Sequence, residues 1–249
     1  MIRRLLTPSQ KKVLREIKLF FEKKIPNHIN YINVSKNLSG VEIGGPSDIF
    51  KYKIPIYANC KSLDFVNFSQ TTIWEGTLTS NTKYFRGKSG KQYISEATNL
   101  SFFPDNEYDF LISSNCLEHV ANPIKALKEW KRVTKNHIIL ILPFKDSNFD
   151  HFRDFTSFDH LLEDFINDTD ENDLTHLDEI LTLHDLKLDP AAGSYDQFIK
   201  RSLDNLKNRC LHHHVFDSKL VEKLCSFLNM NVIEQALTNT DLVFLISIN

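Results

Sequence analysis

The sequence predicts an α/β domain on a mostly parallel sheet whose last strand is antiparallel. Three observations predict it. Val41 to Ser47 reads V-E-I-G-G-P-S, an apolar strand that runs into a glycine turn. Short apolar runs then alternate with helical patterns as far as Phe144, the rhythm of βαβ units. Near the C-terminus, apolar runs at 232–237 and 242–248 are separated only by 238–241, a spacing that fits an antiparallel hairpin. The 249 residues fit one large domain, and 41% hydrophobic residues, nineteen of them Phe, supply an aromatic core.

A helix opens the chain. Thr7 is placed to cap it, Pro8 suits its first position, Gln10 completes a capping box, and Val13, Ile17, Phe20 and Phe21 share one face. Pro26 stops it. The first strand spans 41–44. The second covers 62–66 and is read as presenting Asp64 at its end. Residues 67–90 are polar without a clear period. The third strand is placed at 93–97 and the fourth at 109–113. Asn122 caps a helix with Pro123 at its first position, and Ala126, Leu127, Trp130 and Val133 form its buried side. Residues 137–144 are continuously apolar, as a strand buried on both faces requires. Beyond it come three amphipathic helices: Phe158 to Ile166, Leu177 to His184, and one opened by a Ser194/Gln197 capping box. Asp217 caps a last helix before the hairpin. The chain is read as a single domain with an N-terminal helix (1–26), a core (40–144), a helical insertion (145–216) and a closing helix and hairpin (217–249).

A net charge of −2 gives no global electrostatic case for nucleic acid. Charge is nevertheless segregated: residues 1–24 hold eight basic side chains against Glu16 and Glu22, and 146–190 hold fourteen acids against Arg153 and Lys187. Either these are two solvated faces, or the basic helix docks on the acidic segment of its own or another subunit, which would make a homo-oligomer. Four cysteines without C-x-x-C pairing fit neither a zinc ribbon nor a disulfide framework and suit a reducing cytoplasm. No apolar run reaches the roughly 18 residues needed for a membrane span. G-K-S at 87–89 is not a P-loop, because Thr82 stands where the first glycine would be.

The glycine turn lets the backbone bend sharply and approach a ligand. It is not a dinucleotide fingerprint, because Pro46 fills the second glycine position and Ile49 the third. With Asp64 one strand later and Leu117-Glu118-His119 after a further strand, residues 40–144 together resemble the class I S-adenosylmethionine-dependent methyltransferases. The resemblance implies a Rossmann-like class I methyltransferase sheet and S-adenosyl-L-methionine as cofactor. Glu42, Gly44, Gly45, Pro46 and Ser47 would then form the turn beside the cofactor's amino acid and ribose. Asp64 would accept both ribose hydroxyls, an interval from Gly44 that suits NAD equally. Glu96, Ala97 and Thr98 would border the adenine, and Asn115 and Cys116 the methionine end. His119 either starts a loop over the cofactor or packs beside the helix at Pro123.

Seven of the ten histidines follow the fifth strand, where an acceptor would bind. Methyl transfer to oxygen is helped by a base near neutral pKa, and histidine is the natural candidate. His151, with Asp150 beside it and Arg153 two residues on, is favoured, together with one of His212, His213 and His214. In an extended stretch His212 and His214 would face one way and His213 the other. A metal is an alternative use of such a cluster, but no H-E-x-x-H is present and His176 and His184 lie too far apart for one helix turn, so no metal ligand is assigned. The reading is O-methylation of a small-molecule acceptor. The F-D-H…H-L-L-E-D-F and H-H-H-V-F segments are similar to those of bacterial methyltransferases associated with surface polysaccharides, which points to a sugar hydroxyl or phosphoryl-type group on a capsule precursor. A nicotinamide-dependent enzyme acting on nucleotide sugars and a non-catalytic partner subunit are the competing readings.

Overall fold

The computed structural model describes residues 23–248, together with Thr7 and Leu14; the expected N-terminal helix and its docking on the acidic segment lie outside the described residues. An eight-stranded sheet organises the chain. Its strands are β1 (Ser39–Ile43), β2 (Ser62–Asn67), β5 (Asn81–Phe85), β6 (Lys88–Ile94), β7 (Tyr108–Ser114), β8 (Thr134–Pro143), β9 (Asn231–Leu237) and β10 (Asp241–Ser247). They lie in the order β5-β6-β2-β1-β7-β8-β10-β9. From β6 to β8 the pairing is parallel, whereas β10 runs antiparallel to β8 and to β9. This is the expected sheet with its antiparallel hairpin at one end.

Why the central strands sit inside follows from their sequences. In β8, Ile138, Leu140 and Leu142 face one layer while Ile139 and Ile141 face the other, and all five are at most 1% exposed. A strand with helices on both faces needs an apolar side chain at every position. On the first face lie α4 (Pro123–Val133) and α9 (Ser218–Phe227), with Trp130, Leu127, Leu220 and Leu224 in the core. On the second lie α1 (His28–Asn33), α2 (Asp48–Tyr52) and α3 (Ile56–Asn59), with Phe50, Ile54 and Tyr57 against Phe65 and Phe110. The predicted caps form: Asn122 accepts from Lys125 N, Ser194 and Gln197 complete a capping box, and Asp217 accepts from Leu220 N. Each satisfies a backbone donor that a helix N-terminus otherwise leaves open.

Two strand boundaries differ from expectation. The stretch 67–90 is not irregular: it holds a small hairpin, β3 (Thr71–Thr72) and β4 (Gly76–Thr77), and then β5 paired antiparallel with the first half of β6. The β5–β6 connection is Arg86-Gly87, both at positive φ, the conformation that fits a two-residue hairpin to the twist of its strands. G-K-S is thus the turn glycine followed by the first two residues of β6. The third parallel strand ends at Ile94, not at Ala97, and frees Ser95 to Ala97 to line a cleft. At Gly90 a side chain has no room, because a Cβ would lie 1.6 Å from Leu63 O.

Residues 145–216, between β8 and α9, contain α5 (Phe158–Ile166), α6 (Leu177–Leu183), α7 (Tyr195–Leu203) and α8 (Asn205–Asn208). Ile180, Ala192, Phe198 and Leu211 form their own small apolar cluster. Among the described residues no helix is long and apolar enough to cross a membrane.

Trp130 links core to cleft: it is fully buried and its indole N–H donates to Ala97 O at 3.0 Å. Trp130→Ala should cost about 3–5 kcal/mol, the usual range for emptying such a site. Urea unfolding measures this, and a loss below about 1 kcal/mol would mean the indole is not part of the close-packed core.

Candidate active site

A cleft of about 1060 Å³ opens where β1, β2, β6, β7 and β8 end. From β1 the chain winds towards β6 on one side, and from β7 towards β8 on the other, so the cleft lies at the point where the strand order reverses. Ligand sites of open α/β sheets form there because the connecting loops diverge.

One half is built by the strand ends. Gly44 stands at φ +82°, and a Cβ there would meet Cys116 Sγ at 2.8 Å. Gly44, Pro46, Ser47, Glu96, Ala97, Asn115 and Cys116 line the cleft. Glu42 and Gly45 lie just behind the turn. Glu42 accepts from Ser47 N at 3.0 Å and from the Tyr57 hydroxyl at 2.6 Å. Its carboxyl is buried without a cation, and burial pushes its pKa up to about 8 against these hydrogen bonds. Glu42 therefore shapes the turn from inside. Thr98 is not in the cleft wall.

Asp64 is a correction. The second strand runs on to Asn67, and Val66, Asn67 and Phe68 are what it presents to the cleft. Asp64 sits three residues earlier, about 10 Å down the strand at ~3.3 Å per residue. Its carboxylate instead accepts from Lys91 N at 2.8 Å and the Tyr108 hydroxyl at 3.0 Å, tying β2 to β6 and β7. At the strand end Asn67 donates to Gly45 O at 2.7 Å and braces the turn.

The other half comes from the insertion, and here one of the four candidate histidines faces the cleft. His212 lines it, and its Nδ1 lies 2.5 Å from Asp150 Oδ2. Burial works to lower the His212 pKa, but the Asp150 carboxylate, by charge and hydrogen bond, outweighs it and raises it. Asp150 is pushed by burial the other way, yet His212 and Arg153 hold it down at about 2. His119 packs edge-on against His212, ring centroids 4.5 Å apart, and pairs through Nδ1 with Leu211 O at 3.0 Å. Burial holds its pKa well below the ordinary histidine value, so its ring is neutral. His119 thus both lines the cleft and packs.

His151, His213 and His214 are corrected. The F-D-H-F-R turn closes by Arg153 N donating to Asp150 O at 2.8 Å, which brings Asp150 and Arg153 to one side. His151 falls on the opposite side, paired with Asp185 at 3.1 Å. The Asp and Arg of this motif serve the cleft, and its histidine does not. Residues 209–217 carry no regular strand, so the alternating pattern fails. His213 turns to Asn205 at 3.1 Å and His214 to Ala121 O at 3.2 Å, both buried outside the cleft wall.

Several cleft residues carry no sequence signal. Arg209 spans the two halves, 2.6 Å from Glu96 and 3.4 Å from Glu171, with its guanidinium over the Phe68 ring. Trp74, from the β3–β4 turn, leans on His119. Glu118 was visible only as part of L-E-H. Its two oxygens are buried without a hydrogen-bond partner, and burial raises its pKa to about 7 against the lowering charge of His212.

Residues 59–142 match the model of a family described as a methyltransferase domain. Among solved structures, an S-adenosylmethionine-dependent methyltransferase from Mesorhizobium loti aligns over 89% of this chain and 96% of its own, at 8% identity and a TM-score of 0.51. A protein described as a Zn-dependent alcohol dehydrogenase from Rhodobacter sphaeroides aligns over 91% and 90%, at 11% identity and a TM-score of 0.53. An S-adenosylmethionine-dependent methyltransferase from Aquifex aeolicus aligns over 98% and 100%, at 12% identity and a TM-score of 0.47. At such identities the first two likenesses speak for the fold alone. No curated protein matches the chain by sequence. Residues 59–142 thus carry the methyltransferase-domain match, on a Rossmann-like, class I sheet.

Glu42 gives a test of the turn. Its folded pKa of about 8 lies above the unfolded value near 4.5, so the folded state holds a proton that the unfolded chain releases between those pH values. Its contribution to stability is complete below pH 4.5 and is lost as pH rises through 8. Glu42→Gln, always neutral, should flatten that part of the stability profile and gain on the wild type towards pH 8. Parallel profiles in urea would show that Glu42 is ionised in the fold.

Proposed function

We propose that the chain methylates the hydroxyl of a small molecule, with S-adenosyl-L-methionine as methyl donor and His212 as the base. The observation that carries this is that the Gly44–Ser47 turn, Glu96-Ala97 and Asn115-Cys116 line the same cleft as a histidine oriented by Asp150. The cleft chemistry fits the donor. Gly44 keeps the backbone bare beside Cys116, and Glu118 offers an unpartnered buried carboxyl to a cationic ligand. The Gly44–Ser47 backbone, Glu96, Ala97, Asn115, Cys116 and Glu118 would hold it. When bound, it supplies a methyl group on a sulfonium, open to displacement by an oxygen nucleophile.

The protein's part is to position and deprotonate. Asp150 occupies His212 Nδ1 and so leaves Nε2 to take the acceptor proton. A buried aspartate that fixes tautomer and stabilises the imidazolium is the general device for such a base. Glu118, Glu171, Asp189, Arg201, Arg209 and Asp241 make the acceptor side strongly polar. That supports a hydroxyl-rich acceptor such as a sugar. A surface-polysaccharide precursor rests on the sequence resemblance, and a phosphoryl oxygen would need no base.

Calorimetric titration with S-adenosylmethionine against NAD(P) tests the class: retention of the nicotinamide alone would reverse it. Gly44→Val should abolish S-adenosylmethionine binding because a branched Cβ enters both Cys116 and the ligand's space, whereas Asp64→Ala should leave affinity unchanged. Strong weakening by Asp64→Ala would return that acid to the site.

His212→Ala should lower turnover by roughly 10²–10⁴-fold with donor affinity nearly intact. His151→Ala should change neither. Because Asp150 raises the His212 pKa, the rate should climb with pH through a value above 6.5, and Asp150→Asn should move that limb down. A pH-independent rate together with near-normal turnover in His212→Ala would remove the base.

A further inference from the structure

We propose that a second site, outside the cleft, binds a zinc-type divalent ion through His160, His176 and His214 with Asp164. The three rings come from three separate segments: α5, the loop before α6, and the strap 209–217. Their centroids form a triangle with sides of 4.8, 5.5 and 5.6 Å. One donor atom from each ring lies within 4.8 Å of the other two.

Distances among the donors suit a tetrahedral ion. His160 Nε2 lies 2.9 Å from His176 Nε2 and 3.3 Å from Asp164 Oδ2. Ligands about 2.0–2.1 Å from zinc sit about 3.3–3.4 Å from one another. Asp164 Oδ2 is buried without a hydrogen-bond partner, and so is His214 Nδ1. An orphaned carboxylate oxygen facing the His160 and His214 rings costs stability unless something positive accepts it. Two neutral imidazole nitrogens 2.9 Å apart satisfy only one lone pair, whereas an ion between them uses both. His214 donates from Nε2 to Ala121 O at 3.2 Å, which leaves its other nitrogen in the ligand form.

Histidine with one carboxylate and no open ligand position is a structural zinc set rather than a catalytic one. The surrounding shell agrees. Glu179 Oε2 lies 3.7 Å from His176 Nδ1, on the ring face away from His160, and its carboxylate also accepts from Arg153. A carboxylate behind a ligating histidine orients the ring and strengthens it as a donor. The ion would staple α5 and α6 to the strap that carries His212, two residues from His214. This assignment does not depend on the reaction catalysed in the cleft.

The test uses the full chain, stripped with a chelator, dialysed, and titrated with Co²⁺ as a spectroscopic stand-in and then with Zn²⁺. The expected result is about one retained equivalent, a visible band of tetrahedral Co²⁺ bleached by Zn²⁺, and a melting temperature raised by Zn²⁺. The double variant His160→Ala/His176→Ala, which changes two partly exposed rings and spares the buried His214, should lose the band, as should Asp164→Asn. Glu118→Gln should keep it, because Glu118 belongs to the separate cleft group with His119 and His212. No retained ion and no band in the wild type overturn the proposal. So does a band that survives the double variant, or one abolished by Glu118→Gln, which would place the ion in the cleft.

Discussion

Arg153 is almost wholly buried, and the arrangement of the cleft depends on how it is paired. Its guanidinium reaches Asp150 Oδ1 at 3.0 Å, His212 O at 2.8 Å, His213 O at 3.3 Å and Glu179 at 3.2 Å. Taking a guanidinium out of water costs several kcal/mol, which only a full set of acceptors offsets. The planar fork of five N–H groups distributes those acceptors in fixed directions, so three pieces of chain are held in one geometry. The turn after β8, helix α6 and the strap are thereby registered against one another. His212 faces Asp150 because its own carbonyl is held by the same arginine that holds Asp150.

The cleft is accordingly two structures of different origin. One half is made by strand ends whose positions the sheet dictates, with Gly44 close to Cys116 and Asn67 donating to Gly45 O. The other half is made by contacts between distant residues: His212 with Asp150, Arg209 with Glu96, His119 with Leu211. Arg209 and Trp74 join the halves across the opening.

Electrostatics within the cleft follow from burial more than from charge count. Glu42, Glu118 and Glu171 are pushed up to about 8, 7 and 7 by desolvation, while Asp150 is held at about 2 by two cationic neighbours. Asp150 is thus an anion at neutral pH, while Glu118 and Glu171 lie near their titration point. Environments that separate the pKa values of neighbouring groups mark acid–base machinery in general.

The sequence by itself determined the sheet, the glycine turn, the three helix caps and the burial of β8, because each depends on a local period or on a side chain bonding its own backbone a few residues away. It also placed Gly44, Pro46, Ser47, Glu96, Ala97, Asn115 and Cys116 together, since a parallel sheet brings all its strand ends to one edge. It misplaced Asp64, because that acid lies three residues before the strand end at Asn67, about 10 Å down the strand from the cleft. It missed the β5–β6 hairpin, whose half-buried edge strand and Arg86-Gly87 turn give only a weak pattern. The choice among histidines was beyond it altogether. His151, His212, His213 and His214 are the same residue in similar polar surroundings along the chain. Only the tertiary packing decided which of them meets Asp150 across 62 residues, because that pairing is set by a buried arginine that no local period reveals.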